Sequence, residues 1–188
     1  MSTSRATSGA SCSTRSGRAK LAPVDAYTPD AWGAAFTAVA GASAALTGLL
    51  FVALSINLAR VIQVQGLIGR AVEVLLLLGG VLIAATLLLM PGQGVANAAV
   101  EILAVGITLV ALLAYIHVRA PRKVLGVTGR NFTMRVVGAQ LGPVLLVVGG
   151  VSLITETAGG LYWVVPALVA AMIAAIIGAW VMLVEIVR

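Results

Sequence analysis

Apolar residues along this chain form five long runs, which short polar segments separate. The runs span residues 31–61, 67–90, 95–118, 136–155 and 161–187. Each has the length that a helix needs to cross a bilayer, which is about 20 consecutive apolar residues. The pattern predicts an all-α fold: an integral membrane bundle of five transmembrane helices that occupies residues 31–188 as one domain.

The segments outside the runs predict two tight connections and a tail. PGQG at 91–94 and ETAGG at 156–160 are short and rich in glycine, so the helices on either side of each should form a hairpin. Residues 1–30 are rich in Ser, Thr and Arg and have no hydrophobic periodicity. Such a segment has too little apolar surface to fold on its own, so we expect a disordered basic tail.

Composition favours a membrane protein over a soluble one. Of the 188 residues, 61% are hydrophobic and 10% are charged, and the mean hydropathy is +1.11. A soluble domain is about 45–50% apolar and about 25% charged. Cys12 is the only cysteine and His117 the only histidine, which excludes an intrachain disulfide and argues against a Cys or His metal site. We expect no cofactor.

The distribution of Lys and Arg predicts an orientation. With the N-terminus outside, eight of the twelve basic residues fall on the cytoplasmic side, five of them in the loop at 119–135. The positive-inside rule then favours an orientation with the N-terminus outside and the C-terminus in the cytoplasm. The basic residues lack interleaved aromatic residues, so we expect contacts with membrane lipids and no nucleic-acid binding.

Small residues recur at helical spacing in the first and last runs. Gly41, Gly48 and Ser55 are seven residues apart and share one face of the first helix. Asn57 points almost the opposite way, toward the face of Ser43. Small residues let membrane helices approach closely, so we expect helix packing at these faces, and association with a second copy or another membrane protein. The stripe in the last run consists of Ala171, Ala175 and Gly178.

Two glutamates have an arginine nearby on the same helix. Glu73 follows Arg70 by three residues, and Glu185 precedes Arg188 by three. Residues three apart share a helix face. We therefore expect an ion pair within each helix, close to the membrane surface.

Glu101 and Glu156 lack such a partner, because only the N-terminal tail offers basic residues on the outer side. An acid without a partner in a membrane stays neutral, or it binds a cation or proton. For Glu101 both interpretations stay open, whereas Glu156 lies at a helix end where water solvates it. Asn57 and Gln140 would complete a polar path, although Gln140 is also placed to satisfy the carbonyl that a nearby proline frees.

Parts of the sequence resemble known membrane proteins. ASAALTGLLFVALSINLARVI at 42–62, with GRAVEVLLLL and LLMPGQG further on, resembles uncharacterised small multi-pass membrane proteins of high-GC actinobacteria. Some of these are labelled modulators of the membrane protease FtsH, and the resemblance covers about residues 31–105. The resemblance implies a protein of a bacterial plasma membrane. ALTGLLFVALSIN is also similar to the pore-lining first helix of Orai calcium channels. Ile56 stands at the acidic selectivity position of that family, so calcium-filter chemistry is not implied.

No catalytic motif accompanies these features. The sequence contains no HExxH, no GxSxG and no P-loop pattern, which are signatures of zinc proteases, serine hydrolases and nucleotide-driven proteins. The sequence therefore favours a non-enzymatic membrane protein with a regulatory or scaffolding role. The alternative is a small ion or proton channel or transporter that uses Glu101.

Overall fold

The protein is an all-α, multi-pass membrane protein, as the hydrophobic pattern predicts. The computed structural model describes residues 26–27, 29–64, 66–119, 129–157 and 159–187. Within these ranges all regular structure is helical, and five helices are long and apolar enough to span a bilayer. The elements are a 3₁₀ turn at Pro29–Trp32, α1 (Gly33–Ile56), α2 (Leu58–Gln63), α3 (Leu67–Leu88), α4 (Val95–Arg119), α5 (Gly129–Ile154) and α6 (Leu161–Val187).

Four of the long helices close into a ring. Around it α3 packs on α4, α4 on α5, α5 on α6, and α6 on α3, while α1 packs outside the ring against α3. Helices that follow one another in the ring run in opposite directions. The starts of α3 and α5 and the ends of α4 and α6 therefore lie at one end of the bundle, which we call the basic end after its residues Arg70, Arg119 and Arg135.

Small residues on α6 bring it close to its two neighbours. A Cβ atom on Gly142 of α5 would lie 2.8 Å from backbone atoms of Ala171, and one on Gly178 would lie 2.8 Å from a methyl of Val74 on α3. Ala175 is also buried. Because lipid tails are as apolar as the side chains, close van der Waals contact is what holds membrane helices together. The stripe of Ala171, Ala175 and Gly178 thus lies at contacts inside the bundle.

The small-residue face of α1 is left uncovered by the described part of the chain. Gly41, Gly48 and Ser55 are exposed, and a Cβ atom on either glycine would meet nothing within 4 Å. The opposite face packs on α3, where the hydroxyl of Ser43 donates a 2.7 Å hydrogen bond to the carbonyl of Leu78. A hydroxyl is more stable at a helix contact with an acceptor than against lipid. No described helix covers Gly41, Gly48 and Ser55, and their packing against another chain stays a prediction.

Two helix boundaries differ from the hydrophobic pattern. The first run does not form one helix to residue 61, because Asn57 interrupts it and donates a 2.9 Å side-chain hydrogen bond to the carbonyl of Ala53. Asn side chains compete with the backbone for such acceptors. The fourth run is preceded by two further helical turns, since α5 begins at Gly129 rather than at Val136. Polar residues are tolerated there because Arg135 has a partner inside the bundle.

The segment before α1 is attached to the turn between α5 and α6. The carbonyl of Ala26 accepts a 2.9 Å hydrogen bond from the backbone of Leu161, and the hydroxyl of Tyr27 accepts one of 3.2 Å from Gly159. Trp32 meets Tyr162 edge to face, with ring centroids 5.0 Å apart. These contacts hold the last residues of the predicted tail, while residues 1–25 and 28 lie outside the described part of the chain.

Candidate functional site

Three ionisable side chains from three helices meet inside the basic end. Arg135 of α5 donates a hydrogen bond to Oε2 of Glu73 on α3. The other carboxylate oxygen of Glu73 lies 3.5 Å from Nε2 of His117 on α4. The side chains of Glu73 and His117 are only 8% and 7% exposed. A carboxylate buried this deeply is stable only when it is paired, and Arg135 supplies the partner of Glu73. We call Glu73, His117 and Arg135 the ion cluster.

A second ion pair lies beside this cluster and joins α3 to α6. Nη1 of Arg70 is 3.5 Å from Oε2 of Glu185, whose side chain is 51% exposed. The expected pair within a single helix is therefore wrong for Glu73, which pairs with Arg135, whereas the expected pair of Glu185 with Arg188 stays a prediction. Arg188 lies outside the described residues. The physical reason is that a charged side chain is costly in contact with lipid. A charge that points toward a neighbouring helix avoids this contact, whereas a charge on the outer face of a helix does not.

Spacing along single helices did not predict this site, although the sequence contains a signal for it. Arg70 and Glu73 lie within the first two turns of α3, and His117 lies two residues before the end of α4. Arg135 lies near the start of α5, and Glu185 near the end of α6. Because successive helices of the bundle run in opposite directions, these positions lie at the same depth in the membrane. A comparison of depth across all the spans, rather than of spacing within each, would have found the cluster.

A cavity of about 520 Å³ lies beside the ion cluster, between α3, α5 and α6. Arg70, Glu73 and Arg135 form its polar wall, and the rest of its lining is apolar. Met134 on α5 and Ile177 on α6 line the cavity and are 67% and 59% exposed. Both belong to helices that are long and apolar enough to span a membrane, so we expect the cavity to open sideways toward lipid. Its volume is within the range of about 300–1,000 Å³ that is usual for ligand sites.

The outer acidic residues lie far from this cavity. Glu101 is half-buried at the opposite end of the bundle, where its Oε2 accepts a 2.6 Å hydrogen bond from the side-chain amide of Gln93. Glu156 is exposed in the turn after α5, with a left-handed φ of 50°. Gln93, in the connection before α4, thus gives Glu101 the neutral partner that the search for Lys and Arg missed.

Asn57 and Gln140 belong to two further, separate contacts. Asn57 follows the last residue of α1 and bonds back to Ala53 of that helix, outside the ring. The side-chain amide of Gln140 donates a 3.3 Å hydrogen bond to the carbonyl of Val110 on α4, so the expectation that it serves the carbonyl freed by Pro143 is wrong. Val110 is nine residues beyond Glu101, about 13 Å along the helix axis. The four candidate polar residues therefore do not form one site.

Comparison with known proteins gives no match for this arrangement. No protein-family model matches the chain, and no curated protein or solved structure matches it. The resemblances to actinobacterial membrane proteins and to the first Orai helix stay predictions. Among the described residues there is no group of three or more His, Cys, Asp or Glu that could hold a metal ion. The ion cluster and its cavity are therefore interpreted from their own chemistry.

Proposed function

We propose that the protein is a non-enzymatic integral membrane protein with a regulatory role, controlled by a membrane ligand in the cavity at the basic end. The observation that carries the proposal is the position of this cavity. It opens toward lipid and directly borders Glu73 and Arg135, which connect α3 to α5. Buried ionisable residues in membrane spans are costly and usually serve a function.

A ligand in this position would act on helix packing. The cavity separates the basic ends of α5 and α6, which further along approach closely at Gly142 and Ala171. If a ligand binds more tightly to a conformation with one distance between these helices than to a conformation with another, it increases the population of the conformation that it prefers. Regulation would then consist of a change in the surface that α5 and α6 present to another membrane protein.

The exposed face of α1 supports a scaffolding contribution to the same role. Gly41 and Gly48 leave a flat surface toward lipid, against which a helix of another chain would approach closely. A pore is less well supported, because Glu101, Asn57 and Gln140 each make a separate local contact. Orientation is part of the proposal as well: the excess of basic residues supports a cytoplasmic location for the basic end.

The experiment fills the cavity without disturbing the helices. Gly138 lines the cavity, and a Cβ atom on it would meet nothing within 4 Å, so Gly138→Leu places a side chain in open space. Gly41→Leu is the matched control, because Gly41 is also a helical glycine with open space around it but lies on α1. Thermal unfolding is measured in neutral detergent with and without a total membrane lipid extract.

A ligand that binds the folded state raises the unfolding temperature. We expect lipid extract to raise it for the unmodified protein and for Gly41→Leu, and to raise it much less for Gly138→Leu. An equal response to lipid in both variants would contradict the cavity as the ligand site.

A further inference from the structure

The charges and walls of the cavity indicate which kind of ligand it holds. We infer that the ligand is an anionic phospholipid, whose phosphate binds Arg70 and whose acyl chain lies against the apolar walls of α5 and α6. The inference rests on the proposed function and specifies its ligand.

Arg70 is the residue of the cavity wall with donors left for an anion. Arg135 is engaged by Glu73, whose side chain is 8% exposed and fixed within the ion cluster. The described ion-pair contact of Arg70 is a single one at 3.5 Å, to the half-exposed Glu185. A guanidinium carries five N–H donors in a planar fork that matches phosphate oxygens. A phosphate can therefore bind Arg70 without breaking the Glu73–Arg135 pair.

The apolar part of the cavity fits an acyl chain that arrives from the bilayer. Its wall on α5 extends from Phe132 to Ala139, which is about 10 Å along the helix. The exposed Met134, Gly138 and Ile177 border the opening. A phospholipid of the adjacent leaflet can reach Arg70 through this opening while its chain stays in an apolar environment, whereas a free anion would have to cross lipid or enter from the aqueous side.

The charge of the basic end favours an anionic over a zwitterionic lipid. Among the residues that the structure describes, five arginines belong to helix ends at this side (Arg60, Arg70, Arg119, Arg130 and Arg135), against two acidic residues, Glu73 and Glu185. Basic residues near a membrane surface attract anionic headgroups, each contributing about 1 kcal/mol. This excess, together with Arg70 in the cavity wall, distinguishes the site from an apolar groove that would accept any lipid.

The test compares two lipids that differ only in headgroup charge. Dissociation constants of phosphatidylglycerol and phosphatidylcholine with identical acyl chains are measured for the full chain in neutral detergent by native mass spectrometry. We expect the unmodified protein to prefer phosphatidylglycerol. Arg70→Gln should weaken phosphatidylglycerol binding about 10-fold to 100-fold, the effect of losing a hydrogen bond between charged groups, and leave phosphatidylcholine binding unchanged.

Arg119→Gln is the matched control. It removes one charge from the same end of the bundle, but Arg119 is exposed and lies over the ring of Tyr115, 5.0 Å from its centroid, outside the cavity. We expect it to leave the preference for phosphatidylglycerol intact. Glu185→Gln should strengthen phosphatidylglycerol binding, since it removes the carboxylate that competes for Arg70. This variant and Arg70→Lys, which keeps the charge but loses the fork, decide the question if Arg70→Gln does not fold.

Other results overturn the inference in distinguishable ways. Equal loss of preference in Arg119→Gln and Arg70→Gln would mean general surface attraction, and abolition of phosphatidylglycerol binding by inorganic phosphate would mean a site for free anions. A third result is that both lipids bind equally well and that Gly138→Leu abolishes the binding of both. This result would overturn the anionic ligand but support the proposed function. Failure of both lipids to bind, or binding that Gly138→Leu leaves unchanged, would contradict both.

Discussion

Glu73 and Arg135 pair across the diagonal of the four-helix ring. Glu73 is on α3 and Arg135 on α5, and each of these helices packs against α4 and α6. The side chains are 8% and 20% exposed, so the pair lies inside the protein. It joins two helices at opposite corners of the ring, and His117 adds a third.

Removal of one member of this pair should destabilise the fold. Glu73→Leu leaves Arg135 buried without its carboxylate, and we expect the free energy of unfolding to fall by about 3 kcal/mol. The measurement is reversible unfolding in mixed detergent micelles.

Two further variants test this interpretation of the pair. The double variant Glu73→Leu/Arg135→Met should recover most of the loss, because no unpaired charge remains buried. Glu185→Gln is the control, since its side chain is 51% exposed and exposed ion pairs contribute only about 0–1 kcal/mol. A loss for Glu73→Leu no larger than that of this control would contradict a structural role for the pair.

The hydroxyl of Ser43 should hold α1 on the ring. Ser43→Ala removes the 2.7 Å hydrogen bond to Leu78 of α3, and hydrogen bonds between membrane helices contribute about 0.6 kcal/mol, with a maximum near 2. Ser55→Ala is the control, because the Ser55 hydroxyl bonds only to Phe51 of its own helix among the described contacts. Unfolding of both variants in mixed micelles should show a measurable loss for Ser43→Ala alone. Equal losses would mean that the bond to Leu78 does not contribute.

Close approach of α5 and α6 should make one glycine irreplaceable. A Cβ atom on Gly142 would lie 2.8 Å from backbone atoms of Ala171, so Gly142→Ala forces the helices apart. Overpacking of this kind costs about 1–3 kcal/mol. Gly138→Ala, one turn earlier on α5, has open space and should be neutral or slightly stabilising. The melting temperatures of the two variants should differ in this direction, and a tolerated Gly142→Ala would contradict the helix spacing.

The exposed face of α1 predicts association with a second copy. Gly48→Leu places a branched side chain on this face, where no described residue would meet it within 4 Å, so we expect weaker self-association without loss of monomer stability. Counting bleaching steps of single labelled particles in membranes measures the oligomer. Ala104→Leu, on the exposed side of α4, is the control. If neither variant changes the distribution of oligomers, this face is not the contact between copies.

Orientation can be tested at the only thiol. Cys12 is the single cysteine of the chain, and with the N-terminus outside we expect a membrane-impermeant maleimide to label it in intact cells. Labelling of permeabilised cells gives the maximum signal for comparison. Protection of Cys12 in intact cells, with labelling only after lysis, would reverse the orientation and move the basic end to the outer side.

The hydrophobic pattern was enough to predict the five spans and their hairpins, because length and apolarity are what a bilayer demands of a helix. It was not enough for the face that α1 buries. Gly41, Gly48 and Ser55 suggested packing by their size, yet Ser43 decides the contact because Leu78 of α3 offers its hydroxyl an acceptor. The spacing of small residues can be recognised within one segment of the sequence, whereas a hydrogen-bond acceptor on another helix cannot.

The same distinction holds for the charged residues. The sequence by itself determined that this protein lies in a membrane, how many spans it has and that one end carries an excess of positive charge. Each of these properties depends on composition along short segments. Only the tertiary structure decided that Glu73 pairs with Arg135 rather than with Arg70, and that a cavity opens beside them. Those facts depend on which helices are neighbours and on their relative depth, so residues 62 positions apart in the chain share one ion pair.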